Sequence, residues 1–304
     1  MSMETLNCPF FDGEKVIEDA SVTIKDRRVA AVSEAFDARR SLLLLPGFVD
    51  AHTHIDSEVQ VETMLKHGIM AACDISASPS LINKVKPFTI VTSAGMTMGT
   101  LNGRGYAREA IAGGAQYIKV LLMGPFMPKP VMWALCDEAH EHGLKVAVHA
   151  TTVRAQKMSV EAGADILIHI PLEAQYPQSL AEVIAARGIV SIPTLVMMEN
   201  FCKKPEDMGN AMNAVKMLYD CGVTILVGTD ANPGSFAPAV SYGDSFHREM
   251  QLLVRAGMKP LDVLSGATKK AADVFGFQIQ GLQLISGRPD QEISDSRKMK
   301  QFWI

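Results

Sequence analysis

The chain has 304 residues, 48% of them hydrophobic and 20% charged, with a formal net charge of -4. That length accommodates one large domain or a large and a small one, and the apolar content argues against disorder. The mildly acidic balance, with no Lys/Arg-dense run, gives no reason to expect nucleic acid, and no apolar run reaches the roughly 18–20 residues of a membrane span.

The N-terminus, MSMETLNCPFFDGEKV, has no basic start followed by an apolar stretch, so no signal peptide is expected. Residues 10–33 alternate short β-like runs with turns, and Asp26 and Arg27 stand where a hairpin would turn. After Pro46 the texture changes. The strand candidates are GFVDAH, AACDIS, TIVTSA, YIKVLL, KVAVHA, ILIHI, IVSIPTL and TILVGTD, alternating with helical stretches such as KPVMWALCDEAHEHG and TVRAQKMSVEAGA that close on glycine. Near-continuous apolar strands with crossover helices predict a parallel sheet covered on both faces. Eight such units predict an α/β fold of the (β/α)8 TIM barrel type, which takes about 250 residues. Five scattered cysteines (Cys8, Cys73, Cys136, Cys202, Cys221) without a CxxC read as reduced thiols in a cytoplasmic protein, and a homo-oligomer is compatible with this composition.

In such a barrel the chemistry sits where strand C-termini feed their loops. The first strand ends in PGFVDAHTH, and alternation turns His52 and His54 to one face. Two imidazoles aimed together want a shared partner: a metal ion, a phosphate, or each other and water. The fourth strand offers Lys119, the fifth His149, the sixth His169 and the eighth Asp230. Lys119, in QYIKVLL, has large apolar residues on both sides, and a buried unpaired ammonium is costly. A carboxylate partner, a depressed pKa, or addition of carbon dioxide to give an anionic carbamate would each resolve it. As a set, imidazoles and carboxylate oxygen suit zinc and similar divalent ions, so the two histidines are expected to share a metal.

These motifs are similar to those of the amidohydrolase superfamily, in particular binuclear members with a carboxylated lysine in the imidazolonepropionase- and prolidase-like branch. PGFVDAHTH resembles the first-strand signature, YIKV the lysine strand, AVHA the fifth and VGTDAN the eighth. The resemblance implies a metal-dependent hydrolase barrel over 46–276 and a small β-sandwich built from 1–45 and 277–304, trimmed where the tail passes directly from Gly287-Arg288 to the last segment. It also implies two divalent ions, with zinc expected. His52, His54 and Asp230 would hold the more buried ion and His149 and His169 the more exposed one, with carboxylated Lys119 and a hydroxide bridging them. Asp230 would be the catalytic proton shuttle. One departure is LIHIPLE around His169, where many relatives read Glu-His-Gly.

The implied reaction is attack of that hydroxide on an amide, cyclic amide, ester or lactone of a small, fairly apolar molecule, since no Arg cluster marks a phosphate site. The alternative is a metal-dependent decarboxylase, C–C lyase or isomerase on the same barrel. A non-catalytic scaffold and a Schiff-base enzyme using Lys119 fit the six residue types less well. Phe126, Met197, Met198, Glu199, Asn232 and His247 are the candidate substrate contacts. The segment after Asp230, rich in Gly, Pro and Ser, would form a lid.

Overall fold

The structure, a computed structural model, describes residues 3–123, 127–291, 293 and 301–303. The N-terminal end forms short strands β1 (Met3–Asn7), β2 (Phe10–Phe11), β3 (Val16–Ile17), β4 (Ala20–Lys25), β5 (Arg28–Glu34) and β6 (Leu42–Pro46). Asp26 and Arg27 turn β4 into β5 with φ of 51° and 63°, the left-handed pair that a tight hairpin requires. After Gly47 the barrel strands follow: β7 (Phe48–Thr53), β8 (Ile69–Asp74), β9 (Thr89–Thr92), β10 (Ile118–Leu121), β11 (Val146–His149), β12 (Ile166–Ile168) and β13 (Val190–Ile192). Between them lie α1 (Glu58–Lys66), α2 (Pro79–Lys84), α3 (Gly103–Ala112), α4 (Lys129–Glu141), α5 (Val153–Ala162) and α6 (Gln178–Ala186). Then come α7 (Leu195–Met198), α8 (Pro205–Asp220), α9 (Asp244–Arg255), α10 (Pro260–Gly266) and α11 (Lys269–Phe275), and the chain closes on β14 (Leu282–Ser286) and β15 (Gln301–Trp303).

The parallel strands form two arcs, β7-β8-β9 and β10-β11-β12-β13. Two seams close them. At one, Thr97 bonds across β10 through Thr97 N–H to Lys119 O (3.2 Å) and Leu121 N–H to Thr97 O (2.9 Å). At the other, residues 224–231 run between β13 and β7: Leu226 N–H donates to Ser191 O (2.9 Å), Ala51 N–H to Val227 O (2.9 Å) and Asp230 N–H to His52 O (2.8 Å). The predicted eighth strand is thus present in position but bonds through isolated bridges at Ile225 and Ala231 rather than a continuous ladder. Among the described residues no helix is long and apolar enough to cross a membrane.

Alternation sorts the strand residues into two layers. Val49, Ala51, Ala71, Cys73, Tyr117, Ala147, Ile166, Ile168, Ile192 and Leu226 fill the barrel interior, while Phe48, Val146, Val148 and Leu167 pack outward in clusters shared with helix residues. At the two chain ends, β1-β4-β5 and β15-β14-β6-β2-β3 form separate sheets. Leu44 and Leu282 meet Val22 and Ile24 in the apolar layer they share.

Candidate metal centre

Two irregularities aim the histidines. Val49 and Ala51 already face the interior, so strict alternation would send His52 and His54 outward. The register of β7 on β8 shifts between Asp50 and Thr53, a bulge-type irregularity that returns both rings to the interior. On β12, Ile168 faces inward, so His169 should face out. It adopts φ 74° instead, and this left-handed residue swings the imidazole back over the barrel mouth. Asp230 is also left-handed, with φ 59°. Such backbone costs about 1–3 kcal/mol and persists only where the surroundings over-determine it.

The six side chains converge on one cavity of about 810 Å³. Asp230 Oδ1 lies 2.8 Å from His54 Nε2 and 3.3 Å from His52 Nε2, and Lys119 Nζ is 3.4 Å from His52 Nε2. The rings of His149 and His169 meet edge to face at 4.2 Å. His52, His169 and Asp230 each offer a ligand atom within 4.8 Å of the other two.

Burial sets the protonation states. It pushes His52 down to about 3 and His149 to about 4, with the Lys119 charge adding to both, and takes His169 well below the usual imidazole range. Burial also lowers Lys119 to about 7, against the pull of Asp230. For Asp230 burial acts upward, but hydrogen bonds from His52 and His54 hold the carboxylate well below its ordinary range. Neutral imidazoles, an ionised carboxylate and an amine able to shed its proton are the donor set a divalent cation needs. His52 Nδ1, buried without a partner among the described residues, leaves that ring uncommitted on one side.

Supporting residues with no histidine-like signal hold this arrangement. Asp50, buried, accepts from His52 N–H (3.3 Å), Thr229 N–H (3.0 Å) and Thr229 Oγ1 (2.7 Å), tying β7 to the closing segment. Burial raises its carboxyl to about 7. Asp74 accepts from the main-chain N–H of Ile55, Ser76 and Ala77 and fixes the loops after β7 and β8. Thr194 Oγ1 sits 2.7 Å from His169 Nδ1, setting the ring's rotation. Behind it, buried Glu249 accepts from Leu195 N–H (2.9 Å) and Val196 N–H (2.7 Å).

The candidate substrate contacts divide. Met198 lines the cavity with Ile75, Met96, Leu121, Phe201 and Phe236. Met197 is buried instead against Ala231 and Val240. Glu199 and His247 face a different hollow of about 540 Å³, where Glu199 pairs with Arg248 at 2.8 Å and His247 Nε2 donates to His67 O at 3.1 Å. Asn232 spends its amide on its own loop: it donates to Asp230 O (2.9 Å) and Pro238 O (3.2 Å) and accepts from Gly234 N–H (2.8 Å). Phe126 lies outside the described residues. Phe236, which the sequence did not single out, sets its ring at a tilt against His54, centroids 4.6 Å apart, from the segment expected to form a lid.

Residues 43–281 match the model of the Amidohydrolase family. Imidazolonepropionase of Deinococcus deserti is 30% identical over 156 residues, half of this chain but only 35% of that one, so the match spans about a third of the relative's length. Among solved structures, a Xaa-Pro dipeptidase with bound methionine in its active site superposes with a TM-score of 0.79 at 17% identity, covering 98% of this chain and 96% of the other. Molinate hydrolase gives 0.78 at 15% identity, covering 99% and 93%. At such identities the structural likeness speaks for the (β/α)8 fold.

Proposed function

The chain belongs to the amidohydrolase family, and from that premise we propose that it is a metal-dependent hydrolase of amide or related bonds in small molecules. The observation that carries this reading is the convergence of four imidazoles, a carboxylate and a depressed-pKa amine on one apolar-walled cavity. His52, His54 and Asp230 would hold one divalent ion, zinc being the natural choice, and His149 and His169 a second. Lys119, once neutral, would accept carbon dioxide and serve both as a carbamate. When bound, the ions would activate water and polarise the scissile carbonyl.

The chain's own groups do the rest. Asp230 accepts a proton from the attacking water as the carbon–oxygen bond forms, and returns it to the departing nitrogen as the carbon–nitrogen bond breaks. Phe236, Met198 and Phe201 exclude water from one side of the bound molecule. Lys203 and Lys204 on the same wall favour an apolar substrate with a carboxylate at one end. Glu173 and Asp207 line the same cavity, Asp207 accepting from the lysines' main-chain N–H groups (2.8 and 3.2 Å), so the two lysines act against that acidic pair. The methionine held by the similar dipeptidase has that chemistry.

The test is a panel of N-acyl amino acids, cyclic amides, lactones and uncharged amides, with zinc and bicarbonate present. Hydrolysis of at least one class is expected, and Asp230→Asn should keep its metal while losing about 10²–10⁴ in turnover. A silent panel, or an Asp230→Asn protein with full activity, would overturn the reading.

A further inference from the structure

His149 and His169 stand on neighbouring strands, and Thr194 turns the His169 ring, but the chain neighbours that carry their backbone are apolar: Ala150 follows His149, and Ile168 and Ile170 flank His169, all buried. The left-handed turn at His169 needs an anchor. It comes from α5, which starts just beyond β11. Gln156, fully buried, donates through Nε2 to His169 O (3.0 Å) and to Ala150 O (3.4 Å). Its Oε1 accepts from the buried Tyr176 hydroxyl, whose own pKa burial pushes up, so the phenol stays a donor. One neutral amide thereby joins the residue after one histidine to the other histidine's own carbonyl, and Tyr176 fixes which way the amide points. Only an amide supplies two donors and an acceptor in that space; a carboxylate would set its oxygens against two carbonyls.

We propose that Gln156, oriented by Tyr176, is a positioning residue that holds His149 and His169 as a pair for one divalent ion. Ser159, on the same helix and also buried, spends its hydroxyl on Ala155 O (2.8 Å) within α5. It separates anchoring of the histidines from general support of the helix. The proposal rests on the two-ion reading above and adds to it which side chain keeps the second site in shape. Groups that orient metal ligands typically contribute 10–100-fold in metal affinity.

The experiment is equilibrium dialysis of the full chain against zinc buffered at graded free concentrations, with bound zinc counted per chain and thermal midpoints recorded alongside. Wild type should show two binding steps. In Gln156→Met the weaker step should move by about 10–100-fold to higher zinc while the tighter step stays in place. Tyr176→Phe, a milder change should Gln156→Met fold poorly, should move the same step less. Ser159→Ala should leave both steps unchanged at a comparable loss of thermal midpoint. Unmoved steps in Gln156→Met and Tyr176→Phe, or equal movement of both steps shared by Ser159→Ala, would overturn the proposal and leave the hydrolase reading standing. A wild-type chain that binds one zinc would overturn the clamp as well, and one that binds none would overturn the metal reading itself.

Discussion

Lys119 is fully buried between residues that face the helices, Ile118 and Val120, and its amine lies 3.4 Å from His52 Nε2. Its folded pKa of about 7 lies below the ordinary 10.5, so between those values the unfolded chain binds the extra proton. Stability of the metal-free protein should therefore rise with pH across that window, and what this residue contributes is lost as pH falls towards 7. The slope from one group is at most about 1.4 kcal/mol per pH unit. Urea unfolding of chelator-treated, bicarbonate-free protein from pH 7 to 10 should show this rise, and Lys119→Met should flatten it; identical slopes would mean that the amine stays charged in the fold. The six converging residues were legible in the sequence because imidazole, amine and carboxylate at apolar strand ends have few cheap structural explanations. Asp50, Asp74, Thr194 and Gln156 were not legible. Their partners are main-chain groups, hydroxyls and an imidazole, several of them brought from distant segments, and Asp or Thr at a strand end looks the same when it merely starts a turn.

At the scale of elements, chain order and the β-then-α rhythm followed from the alternation of apolar runs and glycine-terminated amphipathic stretches. α4 and α5 end beside Gly143 and Gly163, which take the left-handed φ of 71° and 93°. What the pattern could not show is where alternation breaks. The β7 register shift arises against β8 and the turn at His169 is held by Gln156 of α5, and a single-strand pattern carries no trace of either. The closing segment depends on close approach in the same way. A Cβ on Gly228 would stand 2.4 Å from Ile192 Cγ2 and 3.0 Å from His52 N, so no side chain fits between β13 and β7 at that point. Gly228→Ala should cost about 1–3 kcal/mol. By pushing the segment off β7, it should also weaken zinc binding through Asp230 two residues on. Unchanged urea midpoints together with unchanged zinc affinity would show that the segment has slack the packing does not suggest.

Over the whole molecule, the end sheets and the barrel are one continuous stretch of chain: β6 passes through Gly47 into β7, whose far end carries His52 and His54. Gly47 N–H also bonds to Gly281 O at 3.1 Å, just before β14, so the C-terminal sheet strand is tied to the same junction. Anything that fixes the end of β7 is therefore transmitted to both chain ends, and metal binding should stabilise the protein as a unit. An ion that binds only the folded chain adds about 4 kcal/mol at 1,000 times its Kd. Two ions would add about 8 kcal/mol, and at roughly 2 °C per kcal/mol for a chain of this size the thermal midpoint should rise by roughly 15 °C. Calorimetry with zinc in excess and after chelation checks this, with near-UV and far-UV dichroism followed together. A midpoint that ignores zinc would remove the metal from the account. A shift confined to one of two separate transitions would show instead that the end sheets unfold independently of the barrel, and that the β6–Gly47–β7 junction does not carry the coupling its hydrogen bonds predict.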